Sequence, residues 1–266
     1  MHQFGFIRLC AATPPCRVAN PRANAAAILA QYREAAQNGA ALAVFPELCL
    51  TGYTCGDLFH QQRLLDGALE GLRAILSGSG DLPTLALVGL PLRRGDRLYN
   101  CAALLQGGRI LGVIPKQHLP NDGEFYEQRH FRPGTPLENG ELTLLGQTVP
   151  FGTDLLFCCQ DLPEFRLGVE LCEDLWAPVP PSAVLAQAGA TVIANLSASN
   201  ETVGKADYRR TLIRSHSARL LCAYVYADAG NGESSTGLVF AGHNLIGENG
   251  VLLGESSLFS QGLTYG

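Results

Sequence analysis

Apolar residues along this chain gather in short unbroken runs of strand length, at 4–11, 40–45, 85–90, 98–105, 109–114, 167–171, 191–196 and 223–227. Runs of this kind, bounded by glycine, proline or polar residues, predict strands buried on both faces. Between the first two, Ile28, Leu29, Tyr32, Ala35 and Ala36 recur at helical spacing. Asn20-Pro21 opens that segment with a capping side chain and a proline that needs no N–H partner, and Gly39 closes it. Further helices are expected over 58–76, 182–187 and 207–221. Gly107-Gly108 folds 98–105 back on 109–114 as a hairpin. Short strands are expected at 237–241, 244–246 and 251–253, the last two joined through Glu248-Asn249-Gly250. Crossovers mixed with hairpins imply mixed sheets, and helices between buried strands imply a layered α/β sandwich of sheets covered by helices, in one domain.

Three of these runs end alike. The run at 40–45 stops at Pro46-Glu47, that at 109–114 stops at Pro115-Lys116, and that at 167–171 runs into Cys172. In open α/β sheets the ligand crevice lies outside the carboxyl ends of strands. A carboxylate, a cation and a thiol are then expected at one edge. A cysteine at a strand-to-turn corner has its own backbone N–H groups beside it, which suits a nucleophile whose product is an oxyanion. Taken singly, Glu47 reads as a cap or a solvated charge, Lys116 as a surface lysine and Cys172 as an inert core thiol. Taken together they are the set that opens an amide through a thioester. A dyad of Cys172 with His118, the nearest histidine, would leave Glu47 and Lys116 without a role. Residues 117–136, polar, aromatic and rich in proline and glycine, read as a long functional loop.

Composition narrows the field. The formal net charge is −5 and no basic run occurs, which disfavours nucleic acid and anionic membranes as partners. No window approaches the roughly 18 apolar residues of a membrane span, and the N-terminus has no signal pattern. The nine cysteines show neither CxxC nor zinc-type spacing, so we expect a cytoplasmic protein with free thiols and no metal. No G-x-S-x-G elbow, P-loop, H-E-x-x-H or dinucleotide fingerprint is present.

The segments FPELCLTGYTCGDLF (45–59), PKQHLPNDGEFYEQRHF (115–131), ELCEDLW (170–176), NLSASNETVGKADYRR (195–210) and AYVYADAGNGESSTGLVFAGHNLIGENG (223–250) resemble the carbon–nitrogen hydrolase, or nitrilase, superfamily. They are most similar to the N-terminal glutaminase domains of bacterial glutamine-dependent NAD synthetases. The resemblance implies a four-layer α-β-β-α sandwich, homo-oligomerisation, and hydrolysis of the side-chain amide of L-glutamine to glutamate and ammonia. It assigns Cys172 as nucleophile, Glu47 as general base and later acid, and Lys116 with the Glu173 N–H as the oxyanion site, the lysine also favouring the thiolate. Glu127 is assigned to orienting Lys116 and the substrate amide. Glu173 is expected to take the substrate α-ammonium, with Ser199 and Tyr53 positioning the amino-acid end, and Arg129 and Arg209 holding either loops or the carboxylate. No cofactor is implied for this part. A synthetase domain or subunit, carrying a Ser-Gly-Gly motif that does not occur in these 266 residues, would use ATP, magnesium and deamido-NAD. Asp122 stands where family members often have tyrosine, which leaves positioning at the pocket mouth open. A stand-alone amidase acting on another small amide is the competing enzyme reading, and a scaffold that has lost activity is the non-enzymatic one.

Overall fold

The computed structural model describes residues 2, 3, 5–234 and 237–266. Its first sheet contains β1 (His2–Gln3), β2 (Phe6–Thr13), β3 (Ala40–Val44), β4 (Leu85–Arg94), β5 (Arg97–Gln106), β6 (Arg109–Pro115), β7 (Gly140–Leu144) and β8 (Gln147–Phe151). The second contains β9 (Phe157–Cys158), β10 (Arg166–Leu171), β11 (Val192–Ser197), β12 (Ala223–Asp228), β13 (Leu245–Glu248) and β14 (Val251–Glu255). The last strand, β15 (Gly262–Tyr265), returns to pair with β2. Strand order is β1-β2-β3-β4-β5-β6-β8-β7 in one sheet and β14-β13-β12-β11-β10-β9 in the other. The parallel centres, β2-β3-β4 and β10-β11-β12, are flanked by antiparallel hairpins, so both sheets are mixed.

The period-two alternation of strand side chains builds the layers. Leu9, Leu42, Val44 and Leu87 of the first sheet pack against Leu167, Val169, Leu171, Ala194 and Leu196 of the second. Their neighbours Cys10, Ala43, Phe45 and Val88 point the other way, onto Ile28 and Tyr32 of α1 (Pro21–Gln37) and Leu72 and Ile75 of α2 (Gln62–Gly78). On the far side, Ile193, Tyr224 and Tyr226 meet Leu185 of α4 and Ile213 of α5, where α4 is Pro181–Gln187, α5 is Lys205–Leu220, and α3 is the short Glu127–His130. The result is the expected α-β-β-α sandwich. Each central strand is buried on both faces, which is why its sequence reads as an unbroken apolar run.

The Asn20 cap forms as expected, its side-chain oxygen accepting from the Ala23 N–H at 3.1 Å. The helix expected over 58–76 is instead broken at an extended Gln61: 3-10 turns over Tyr53–His60, kinked at Thr54 and Gly56, precede α2. No strand forms over 237–241; its one ladder contact is an isolated bridge between Phe240 and Asn200. There the apolar side chains anchor a loop, Phe240 packing with Ala198 and Ala229.

Candidate active site

Glu47 follows the end of β3. A tight turn holds it, with Leu48 at a φ of 50°. A Cβ on Gly89 of β4 would lie 2.4 Å from the Leu48 nitrogen, so only glycine lets that strand pass so close. The Glu47 N–H reaches across to the Ser197 carbonyl of the second sheet at 3.3 Å. Its carboxylate accepts from the Ala198 N–H at 3.1 Å and from Asn100 Nδ2 at 2.6 Å.

Lys116 leaves the end of β6. Its N–H is held by the Asn100 carbonyl at 2.8 Å, and its carbonyl accepts from the Gly134 N–H at 2.7 Å. Its Nζ lies 2.6 Å from Glu47 Oε1 and 2.6 Å from Glu127 Oε1. Exposure is 0% for Glu47, 1% for Lys116 and 4% for Glu127, so water does not screen this triplet. Burial opposes the lysine charge, but the two carboxylates outweigh it and hold the ammonium well above its ordinary range. Burial pushes the Glu127 carboxyl up to about 7 against the pull of Lys116, and the nearby Glu47 charge pushes the same way. Tyr53 Oη donates to Glu127 Oε1 at 2.8 Å.

Cys172 follows β10 with a φ of 42°, a left-handed conformation unusual for a residue with a side chain. Its N–H donates to Asn195 Oδ1 at 3.2 Å, and Ser197 Oγ donates to the same oxygen at 2.7 Å. Burial and then the Glu47 charge push the thiol well above its ordinary range, while Lys116 and the Ala198 N–H pull it down by less. Burial thus disfavours the thiolate more than Lys116 favours it, which leaves a need for a base to take the thiol proton, the role expected of Glu47.

The structure separates the remaining candidates. Glu173 is half-buried and lines a pocket of about 650 Å³ together with Asp122, His118 and Trp176; burial raises its carboxyl. Tyr53 lines a different pocket of about 610 Å³, with Glu127, Phe125 and Asn200. Its hydroxyl is taken by Glu127, so here it serves the lysine clamp. Ser199 is buried, its N–H donating to Asp228 Oδ1 at 2.9 Å. Arg129 pairs with Asp57 at the surface, its Nε 2.7 Å from Oδ1. Arg209 is buried against Glu201 and His243. Both arginines thus hold loops. The motif at 230–236 ends in Ser235 and Thr236, which lie outside the described residues.

Two residues escaped the sequence reading. Asn100 links both carboxylates, reaching Glu127 Oε2 at 3.4 Å as well as Glu47. Its signal was a lone amide inside the apolar run of β5. Asp174 ties two strand ends together: it accepts from Leu171 N at 3.0 Å, Gln117 N at 3.1 Å and His118 N at 2.7 Å. It also faces His118 Nδ1 at 3.0 Å and raises that imidazole, which gives His118 a partner other than Cys172.

The loop over 117–136 closes the site. Glu124 accepts from Asn200 Nδ2, and Phe125 packs edge-on against Tyr53 with ring centroids 6.3 Å apart. Cys172 is only 6% exposed beneath it.

Comparison with known proteins identifies the chain's relatives. The carbon-nitrogen hydrolase family profile matches residues 7–266. The glutamine-dependent NAD(+) synthetase of Mycobacterium tuberculosis is 50% identical over 262 residues, covering 98% of this chain but 38% of that protein. The crystal structure of a glutamine-dependent NAD(+) synthetase from Cytophaga hutchinsonii superposes with a TM-score of 0.86 at 30% identity, over 97% of this chain and 42% of that one. An amidase of the nitrilase superfamily from Nesterenkonia shares the fold, with a TM-score of 0.76 at 23% identity over 97% of this chain and 89% of that one. With the profile spanning nearly the whole chain and the expected sandwich in place, this protein belongs to the carbon-nitrogen hydrolase family.

Proposed function

We propose that this chain hydrolyses the side-chain amide of glutamine to glutamate and ammonia through a thioester on Cys172. The observation that carries this reading is the Lys116 ammonium clamped 2.6 Å from both Glu47 and Glu127, in the same buried site as the thiol. Glu47 takes the thiol proton as the sulfur attacks the amide carbon. Lys116 has a third N–H to offer, and with the Glu173 N–H it holds the oxyanion. Collapse of the tetrahedral adduct breaks the C–N bond, and Glu47 returns the proton to the departing ammonia. Water, deprotonated by Glu47, then opens the thioester and restores the thiol. Glu127 keeps the ammonium in place, Tyr53 and Asn100 keep Glu127 in place, and Glu173 and Ser199 are assigned to the α-amino-acid end.

Similarity to glutamine-dependent NAD synthetases supports a destination for the ammonia: a synthetase domain or subunit that uses ATP and magnesium to amidate deamido-NAD. We place the protein in the cytoplasm, in keeping with its free cysteines, and expect a homo-oligomer. Ammonia release from glutamine, asparagine, α-ketoglutaramate and simple aliphatic amides tests the substrate. A kcat/KM for glutamine at least about tenfold above the others (~1.4 kcal/mol) is expected. Preference for a simple amide would make this a stand-alone amidase.

A further inference from the structure

Away from Cys172, two histidines from separate elements meet. His60 ends the 3-10 helix Tyr53–His60, and His130 ends α3. His130 Nδ1 lies 3.3 Å from His60 Nε2. Asp57, on the same 3-10 helix as His60, adds a carboxylate, and one ligand atom from each of the three residues lies within 4.8 Å of the others. The amide chemistry uses none of these groups.

The spacing is that of ligands on one ion. Zinc binds imidazole nitrogen at about 2.0–2.1 Å in a tetrahedron, so two ligand atoms on one ion stand about 3.4 Å apart. Without a cation, two neutral imidazoles facing nitrogen to nitrogen share a single proton; a cation would take a lone pair from each. Arg129 braces the Asp57 carboxylate with bonds of 2.7 and 2.9 Å, the kind of outer contact that fixes a ligating carboxylate. Asp57 and His60 are exposed and His130 is half-buried, so solvent can fill the remaining position.

The position adds a consequence. Tyr53, in the same 53–60 segment but before its kink at Thr54 and Gly56, donates to Glu127, the first residue of α3. An ion on His60 and His130 would add a second tie between that segment and α3. Because α3 lies within the 117–136 loop, the ion would hold that loop over Cys172.

We infer that Asp57, His60 and His130 form a site for a divalent transition-metal ion of zinc-like preference, and that its occupancy keeps the 117–136 loop closed. Cobalt(II) is the probe, titrated into the full chain, into His60→Asn and into His130→Asn, with folding checked by circular dichroism. The wild type should bind cobalt with visible bands and no thiolate charge-transfer band. Each variant should bind at least about tenfold more weakly. Amide hydrogen exchange over 117–136 should slow on cobalt binding in the wild type and not in the variants. Equal binding by all three proteins, no binding, or a thiolate band placing the ion on cysteines would overturn the site. Unchanged exchange with the site filled would overturn the closure.

Discussion

The ammonium of Lys116 lies 2.6 Å from Glu127 Oε1, and through that contact a surface loop becomes part of the buried chemistry. Lys116 is fixed to the end of a central strand, whereas Glu127 opens the short α3 within the 117–136 loop. Opening the loop removes one of the two carboxylates that hold the ammonium. Under the proposed mechanism, turnover is expected to depend on loop position as well as on the thiol.

That dependence should be visible in pH. Burial raises the Glu127 carboxyl to about 7, so its charged form, the one that clamps Lys116, accumulates only as pH rises through about 7. We expect kcat to climb with pH through that region, and Glu127→Gln to lose this limb while dropping kcat by about a hundredfold. Stability runs in the opposite direction. A carboxyl raised above its unfolded value favours folding at acid pH, and that contribution is lost as pH rises through about 7. Denaturant midpoints across pH should show Glu127→Gln losing less stability than the wild type over this interval.

Lys116→Met leaves Glu47 and Glu127 buried without their shared cation. Removing one partner of a buried ion cluster costs about 3–5 kcal/mol, which should appear as a lower urea midpoint. Because the ammonium acts on charge that develops during attack, kcat should fall and KM should change little. A normal kcat with raised KM would reassign Lys116 to binding.

Asp174→Ala removes the acceptor shared by Leu171, Gln117 and His118 N–H groups. Of the three, the Leu171 N–H is buried, and an orphaned buried donor costs about 1–3 kcal/mol, whereas water can reach Gln117 and His118. We expect a loss of about 1–3 kcal/mol in urea unfolding, together with reduced kcat, since the strand ends carrying Lys116 and Cys172 are no longer tied. Full stability in this variant would remove the bracing role.

The strand ends were legible because a buried strand announces itself as an apolar run and proline announces its end; Glu47, Lys116 and Cys172 were found that way. Asn100 was hidden because its role depends on what faces β5 in space. Residues 237–241 misled because an apolar run of strand length does not reveal whether its backbone finds a ladder partner. β7 and β8 were missed for the opposite reason. Half-exposed and rich in Glu, Thr and Gln, they lack the apolar signal, and Leu145-Gly146 between them went unread as their turn. The roles of Arg129 and Arg209 emerged only with their partners Asp57 and Glu201 in view.

The central claim is that Cys172 carries the acyl group. The most direct measurement is ammonia release from glutamine by Cys172→Ala beside Cys222→Ala, whose thiol sits in the outer core of the second sheet. Loss of the nucleophile should lower kcat/KM at least about a thousandfold, or about 4 kcal/mol of barrier, with the fold intact and the Cys222→Ala protein within about tenfold of wild type. Residual hydrolysis by Cys172→Ala within about tenfold of wild type would contradict the account.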